Sequence, residues 1–265
     1  MCPDLASYDA VVSDLDGTLW IDGTPLPGAV DLLDSFRRRG AQVCLATNAS
    51  VATSAQLLAE LTRAGLAASG DVLVTAADAL GARARELGIR EAAVIGEAGL
   101  FDALGRHRVR PVPADEAWRE WSSGLKSRAV AIGLAPDTSI RTLGRVAMLL
   151  ERGLPLLVTT TEVAYPTREG LSGGTGMALA ALAARVPVVE PVVCGKPSLP
   201  FLAALRAHVG GRVLVVGDTV AADIELAIAA GWDSLLVLTG TSAGQSAGWP
   251  RPTFVAPDLV TVSAR

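Results

Sequence analysis

The sequence predicts an α/β protein: a parallel sheet with helices on both faces, interrupted by a second, inserted α/β domain. Three observations make that prediction. Short apolar runs bounded by polar or glycine-rich loops alternate with segments of helical spacing, the pattern of strand–helix–strand units. The same rhythm appears at both ends of the chain, so the ends build one sheet and the middle is an insertion. Half of the 265 residues are hydrophobic and only 19% are charged, which is enough apolar surface for a substantial core.

Ala10-Val11-Val12-Ser13 reads as a buried strand opening into the loop Asp14-Leu15-Asp16-Gly17-Thr18. Leu19-Trp20-Ile21 followed by Asp22-Gly23 has the form of a small hairpin. From Pro27 to Arg39, Ala29, Leu32, Leu33 and Phe36 keep helical spacing, and Gly40 ends the run. Gln42 to Ala46 is a second buried strand leading to Thr47-Asn48, and a helix is expected over Thr53 to Ala64, closed by Gly65. Near the C-terminus, Leu199 to His208 reads as helix, Arg212 to Val216 as strand, Asp223 to Ala230 as helix and Ser234 to Leu238 as strand. The stretch between has its own strands and helices, at Ala92 to Ile95, Ala129 to Leu134, Ser139 to Glu151 and Leu154 to Thr159. The expected division is a core of residues 1–78 and 187–265 with an inserted domain of residues 79–186.

Composition excludes several kinds of function. A formal net charge of −4 provides no broad positive field for a nucleic-acid backbone. Apolar runs such as Ala178 to Val189, broken by Arg185, are too short to span a membrane. Met-Cys-Pro-Asp-Leu at the start lacks the basic-then-apolar order of a signal peptide, so a cytoplasmic protein is expected. Cys2, Cys44 and Cys194 have no metal-ligand spacing and read as free thiols. His107 and His208, the two histidines, read as surface or helix-end residues. Trp118 and Trp121 are spaced like one packed helix face. Only Lys126 and Lys196 among 23 basic residues are lysines. Lys126 reads as a surface residue, whereas Lys196, in Gly195-Lys196-Pro197, reads as a retained compact ammonium.

Four short motifs each follow a predicted strand, and in a parallel sheet the carboxyl ends of strands share one edge. Asp14 and Asp16, Thr47 and Asn48, Lys196, and Asp218 with Asp223 can therefore meet although they lie far apart in sequence. Four carboxylates crowded together repel, and a hard divalent cation such as Mg²⁺ offsets that repulsion through oxygen ligands. With Lys196 adding a second positive charge, the natural ligand of such a group is a phosphoryl group. An aspartate can attack phosphorus to form an acyl phosphate, and Asp16 is placed in sequence to exchange a proton with the departing alkoxide and the hydrolytic water.

These motifs resemble those of the haloacid dehalogenase superfamily. Asp14-Leu15-Asp16-Gly17-Thr18 matches its first motif, Thr47-Asn48 its second, Lys196 its third, and Gly217-Asp218 with Asp223 its fourth. Thr47-Asn48-Ala49-Ser50, Tyr165-Pro166, Gly173-Gly174-Thr175-Gly176 and Gly195-Lys196-Pro197 resemble the subgroup with a large α/β cap, which includes NagD-type and phosphoglycolate-phosphatase-type enzymes. The resemblance implies a Rossmann-like core, a cap domain, Mg²⁺ as cofactor and a small phosphorylated metabolite as substrate, of the sugar, glycerol or glycolate phosphate kind. It implies that Asp14 is nucleophile and metal ligand. Asp16 would be the general acid/base and lend its backbone carbonyl to the metal. Thr47, the Asn48 backbone and Lys196 would hold the phosphoryl group, Asp218 would ligate the metal, and Asp223 would support the site. Relatives with this cap often pair through it, which implies a homodimer by analogy.

One segment departs from the family pattern. Where the cap usually carries Thr-Asn-x-Asp, this chain has Thr159-Thr160-Thr161-Glu162, so an amide is lost at Thr160 and a carboxylate is lengthened at Glu162. Thr160, Glu162 and Arg168 are the candidate contacts of the cap with substrate. Three functions compete: hydrolysis of a phosphomonoester through a phosphoaspartate, a related phosphotransferase or mutase reaction, and non-catalytic ligand binding. Asp16 argues against halide cleavage, because halide leaves without a proton, and the size of the insertion favours the hydrolase subgroup over a mutase. Retention of Asp14 and Asp218 argues against a non-catalytic role.

Overall fold

The first strand, β1 (Ala10–Ser13), is buried along its whole length, as an unbroken apolar run requires of a strand covered on both faces. The computed structural model describes residues 3–121, 126–167, 170–187, 190–240 and 250–263. After β1 a hairpin of β2 (Trp20–Ile21) and β3 (Thr24–Pro25) leads to α1 (Ala29–Arg37), which buries Ala29, Leu32, Leu33 and Phe36. β4 (Gln42–Thr47), α2 (Ser54–Arg63) and β5 (Val72–Thr75) follow.

Next in the chain come α3 (Ala76–Glu86), β6 (Glu91–Ile95), α4 (Ala98–Arg106), β7 (Arg110–Pro113), α5 (Ala114–Glu120) and β8 (Arg128–Ile132). α6 (Ile140–Glu151), β9 (Leu156–Val158), the hairpin β10 (Ala164–Thr167) and β11 (Gly170–Gly173), α7 (Thr175–Ala183) and β12 (Val192–Val193) complete the middle of the chain. The last part comprises α8 (Leu199–Arg206), β13 (Val213–Gly217), a wide π turn over Val220–Ile224, α9 (Glu225–Ala230), β14 (Asp233–Val237), β15 (Phe254–Ala256) and α10 (Val260–Ser263).

Packing divides the chain into two compact units: residues 1–47, 55–74 and 196–265 in the first, and 48–54 and 75–195 in the second. The sequence put the edges of the insertion near 78 and 187; packing groups 75–195 and draws in 48–54 as well. In the first unit a six-stranded sheet has the order β15-β14-β13-β1-β4-β5, and the pairings from β15 through β4 are parallel. This is the parallel sheet that the alternating apolar runs predict. The two chain ends meet in it, because β1 from the N-terminal part lies between β13 and β4.

The second unit has its own five-stranded sheet, in the order β12-β9-β8-β6-β7, with every pairing parallel. Its core gathers Ala93, Ile95, Val130, Ile132, Val146, Leu150 and Val158 around Trp121. Trp121, immediately after α5, is 1% exposed, and Trp118 packs partly buried against the same cluster, so both act in packing. The Arg128 guanidinium lies 4.7 Å from the centre of a Trp121 ring. α3 and α4 approach closely at Gly81, where a Cβ would lie 2.7 Å from His107 and 2.9 Å from the Ala103 carbonyl.

Lys126 is exposed, as read from the sequence, and Cys44 and Cys194 are buried free cysteines whose thiols burial pushes up to about 12. Cys2 and Arg168 lie outside the described residues. Among the described residues no helix is long and apolar enough to cross a membrane. Replacing the fully packed indole tests the second core: Trp121→Ala should lower the unfolding free energy by about 3–5 kcal/mol. Urea titration followed by circular dichroism measures it, and a loss below about 1 kcal/mol contradicts this packing account.

Candidate active site

The site in the first unit begins with register. β1 pairs with β13 and β4 so that Ser13 lies opposite Val216 and Leu45. The residues that follow, Asp14, Gly217-Asp218 and Ala46-Thr47, therefore come out at one sheet edge, at the carboxyl ends of neighbouring strands. Asp14 is held there by its backbone, whose N–H donates to the Val216 carbonyl at 2.9 Å.

Lys196 enters this edge as a buried cation, 5% exposed. Its Nζ donates to Asp14 Oδ1 at 2.5 Å, to Asp223 Oδ1 at 2.7 Å and to the Ala46 carbonyl at 3.1 Å. The ammonium thus has an acceptor for each of its three N–H bonds. Burial alone would lower its pKa, but the charges of Asp14 and Asp223 and their hydrogen bonds outweigh that and raise it.

Asp223 is 1% exposed and sits in the π turn, not at the start of the helix expected over Asp223 to Ala230. The wide turn lets its second oxygen, Oδ2, accept from the Thr219 N–H at 3.1 Å while Oδ1 faces Lys196. Burial pushes its carboxyl up; Lys196 pulls it back down, and the charges of Asp14 and Asp218 push it up again. Asp218 follows β13, is 3% exposed, and accepts a long bond from Thr18 Oγ1 at 3.4 Å. Gly17, at φ +83°, leaves room for it: a Cβ there would lie 3.0 Å from the Asp218 carboxylate.

Carboxylate oxygens of Asp14, Asp218 and Asp223 all lie within 4.8 Å of one another. Three buried acidic groups, with Asp16 two residues from Asp14, are gathered around one ammonium. The donors are all oxygen, the acids are mostly buried, and the net charge is unfavourably negative, so the set fits a hard divalent cation. Asp16 is exposed and accepts from Trp20 Nε1 at 3.0 Å. Displacement of water by the surrounding protein and, second, the Asp14 charge push its carboxyl up to about 6.

Thr47 ends β4 and is buried in the first unit. Asn48 belongs to the second unit by packing, together with Thr160 and Glu162. Within that unit Asn48 Nδ2 donates to Glu162 Oε1 at 3.4 Å, and the Glu162 N–H donates to Thr160 Oγ1 at 3.2 Å. The Asn48 side chain also lies against Gly195, where a Cβ would come 2.5 Å from Asn48 Oδ1. Sequence reasoning missed Trp20, the Ala46 carbonyl and Thr18. Trp20 had a signal, an aromatic with a polar edge four residues after Asp16. A backbone carbonyl has none, because any residue supplies one.

Similarity to known proteins agrees with this geometry. The family described as haloacid dehalogenase-like hydrolase matches residues 11–109, and the one described as HAD-hydrolase-like matches residues 193–262. The D-glycerol 3-phosphate phosphatase of Mycobacterium tuberculosis is 32% identical over 95% of this chain and 70% of its own length. The glycerol-3-phosphate phosphatase of Homo sapiens is 31% identical over 90% of this chain and 81% of its own. The crystal structure of the glycerol phosphate phosphatase from Mycobacterium tuberculosis in complex with magnesium superimposes with a TM-score of 0.82, at 27% identity over 99% of this chain and 78% of that one. The motif-bearing edge of the first sheet lies within these matches, and the chain belongs to the haloacid dehalogenase-like hydrolases.

Proposed function

We propose that the chain hydrolyses small alkyl phosphomonoesters, of the glycerol phosphate kind, through a phosphorylated Asp14. The observation that carries this reading is the buried contact of Lys196 with both Asp14 and Asp223, in a cluster that also holds Asp218. An ammonium on one oxygen of Asp14 fixes the orientation of the carboxylate that acts as nucleophile. The glycerol phosphate substrate class is supported by the two curated relatives above, both phosphatases of glycerol 3-phosphate.

Each residue then has a defined task. Asp14 forms the new bond to phosphorus. Asp16 gives its proton to the departing alkoxide and takes one from water in the second step. Thr47 and the Asn48 N–H bind phosphoryl oxygens, and Lys196, while holding Asp14, turns one N–H from the Ala46 carbonyl to a phosphoryl oxygen. Asp14, Asp218 and the Asp16 carbonyl would hold Mg²⁺, which supplies positive charge against the phosphoryl oxygens. Asp223 keeps Lys196 in place. Within the second unit Glu162 steadies the Asn48 amide, and Thr160 accepts from the Glu162 N–H.

The test is release of phosphate from glycerol 3-phosphate and 4-nitrophenyl phosphate. Chelation of divalent cations should stop it, and added Mg²⁺ should restore it; turnover that survives chelation refutes the metal requirement. Asp14→Asn should lower kcat/KM by about a thousandfold or more with an unchanged circular dichroism spectrum. Residual activity within about tenfold of the unaltered chain rejects Asp14 as nucleophile. Lys196→Ala removes the counterion from two buried carboxylates, and without metal it should cost about 3–5 kcal/mol of unfolding free energy along with activity. A folded variant of unchanged stability would show that the ammonium does not hold the cluster together.

A further inference from the structure

We propose that Trp20 is a positioning residue for proton transfer: its indole N–H fixes the Asp16 carboxyl group, so that one defined oxygen exchanges the proton with the leaving group. The inference rests on the phosphatase reading above and adds to it a residue outside the four motifs. Trp20 Nε1 donates to Asp16 Oδ1 at 3.0 Å. An indole N–H can donate but not accept. Oδ1 is therefore the acceptor in both protonation states, and the proton of the acid form sits on Oδ2.

The loop holds the pair together as one body. The Trp20 N–H donates to the Leu15 carbonyl at 3.1 Å, and the Trp20 carbonyl accepts from the Gly17 N–H at 2.9 Å. Asp16 and Trp20 form a bridge between their backbones. The indole is 5% exposed, and its neighbours Leu15 and Leu19 are 1% and 0% exposed. β2, which begins at Trp20, pairs with β3 so that Trp20 faces Pro25. Burial accounts for an aromatic ring at this position. It does not account for a nitrogen aimed at the carboxyl group that must move a proton.

The chemistry assigns the two oxygens different work. In the first step an Asp14 oxygen forms its bond to phosphorus while the bond to the leaving oxygen breaks, its electron pair staying on that oxygen. The proton on Asp16 Oδ2 completes the alcohol. In the second step a water oxygen adds to phosphorus, a water proton returns to Oδ2, and the bond between phosphorus and Asp14 breaks. A carboxyl group free to rotate about its last bond would present either oxygen, so pinning Oδ1 raises the fraction of molecules set for transfer.

Leaving-group dependence separates this role from a structural one. Nitrophenolate departs without a proton, whereas the alkoxide of glycerol 3-phosphate needs one. Trp20→Phe, which removes the donor and keeps a ring, should lower the ratio of kcat/KM on glycerol 3-phosphate to that on 4-nitrophenyl phosphate by about tenfold. Trp20→His, whose five-membered ring can place an N–H at the same ring position, should recover part of that ratio. In an Asp16→Asn background, Trp20→Phe should leave the ratio where Asp16→Asn alone puts it. Impaired folding lowers both esters together and so does not mimic the effect. Equal losses on both esters, or a change of ratio that persists without Asp16, overturn the proposal. Failure of the unaltered chain to release phosphate from either ester overturns the phosphatase reading itself, a separate result.

Discussion

A single ammonium, on Lys196, holds together side chains that enter the sheet edge from distant parts of the chain. It reaches Asp14 across 182 positions of sequence and Asp223 across 27, and it also takes up the Ala46 carbonyl. Moving a lysine out of water to 5% exposure is costly, and two buried carboxylates offset that cost only while all three groups stay in contact. The arrangement is therefore all-or-none. Asp14 is held by Lys196, Lys196 by Asp223, and Asp223 by the Thr219 N–H of a turn that only a π-wide geometry provides. The order β13-β1-β4 is what makes the contact possible, because it sets the ends of three strands side by side.

Much of this was legible in the sequence, for a physical reason. A strand buried on both faces must be a continuous apolar run, so β1, β4, β13 and β14 announce themselves, and the polar residues just after them must lie at the strand ends. The helix expected over Asp223 to Ala230 is present, but it is preceded by a π turn from Val220, so Asp223 lies inside the helical segment, where it serves Lys196 instead of capping α9. The middle of the chain was less legible. α3 buries Ala76, Ala77, Ala79, Leu80, Gly81 and Ala84, a face of small side chains with weak contrast against the opposite face. Small residues suit the close packing of α3 on α4, and the same closeness removes the large apolar markers that periodicity depends on. α4, α7, the β10–β11 pair and the short strands β7, β12 and β15 were not anticipated either. Strands of two to four residues are too short to show an alternating pattern.

The boundary between units was harder still, because it does not follow any composition shift. Residues 48–54 sit in sequence between two elements of the first sheet, yet they pack with the second unit. The contacts responsible are polar and long-range. Leu134 N–H donates to Ser50 Oγ at 3.1 Å, Gly99 N–H to the Val51 carbonyl at 2.7 Å, and Ser54 Oγ to Asp78 Oδ2 at 2.7 Å. Arg106 joins the same network through Asp78. Backbone groups and hydroxyls carry no hydropathy signal, so a segment tied down by them reads as an ordinary loop.

Asn48 therefore answers to two sets of constraints. It is bonded in sequence to Thr47, the last residue of β4, but its side chain is placed by Glu162 and by the open space at Gly195. This gives the departure from Thr-Asn-x-Asp a physical meaning. A glutamate reaches one methylene further than an aspartate, and here its carboxylate ends on the Asn48 amide at 3.4 Å. What the chain keeps from the family is a carboxylate in that segment; what it changes is the distance from backbone to charge. The first unit's carboxylate–ammonium cluster is built from Asp14, Asp218, Asp223 and Lys196 and includes none of these residues.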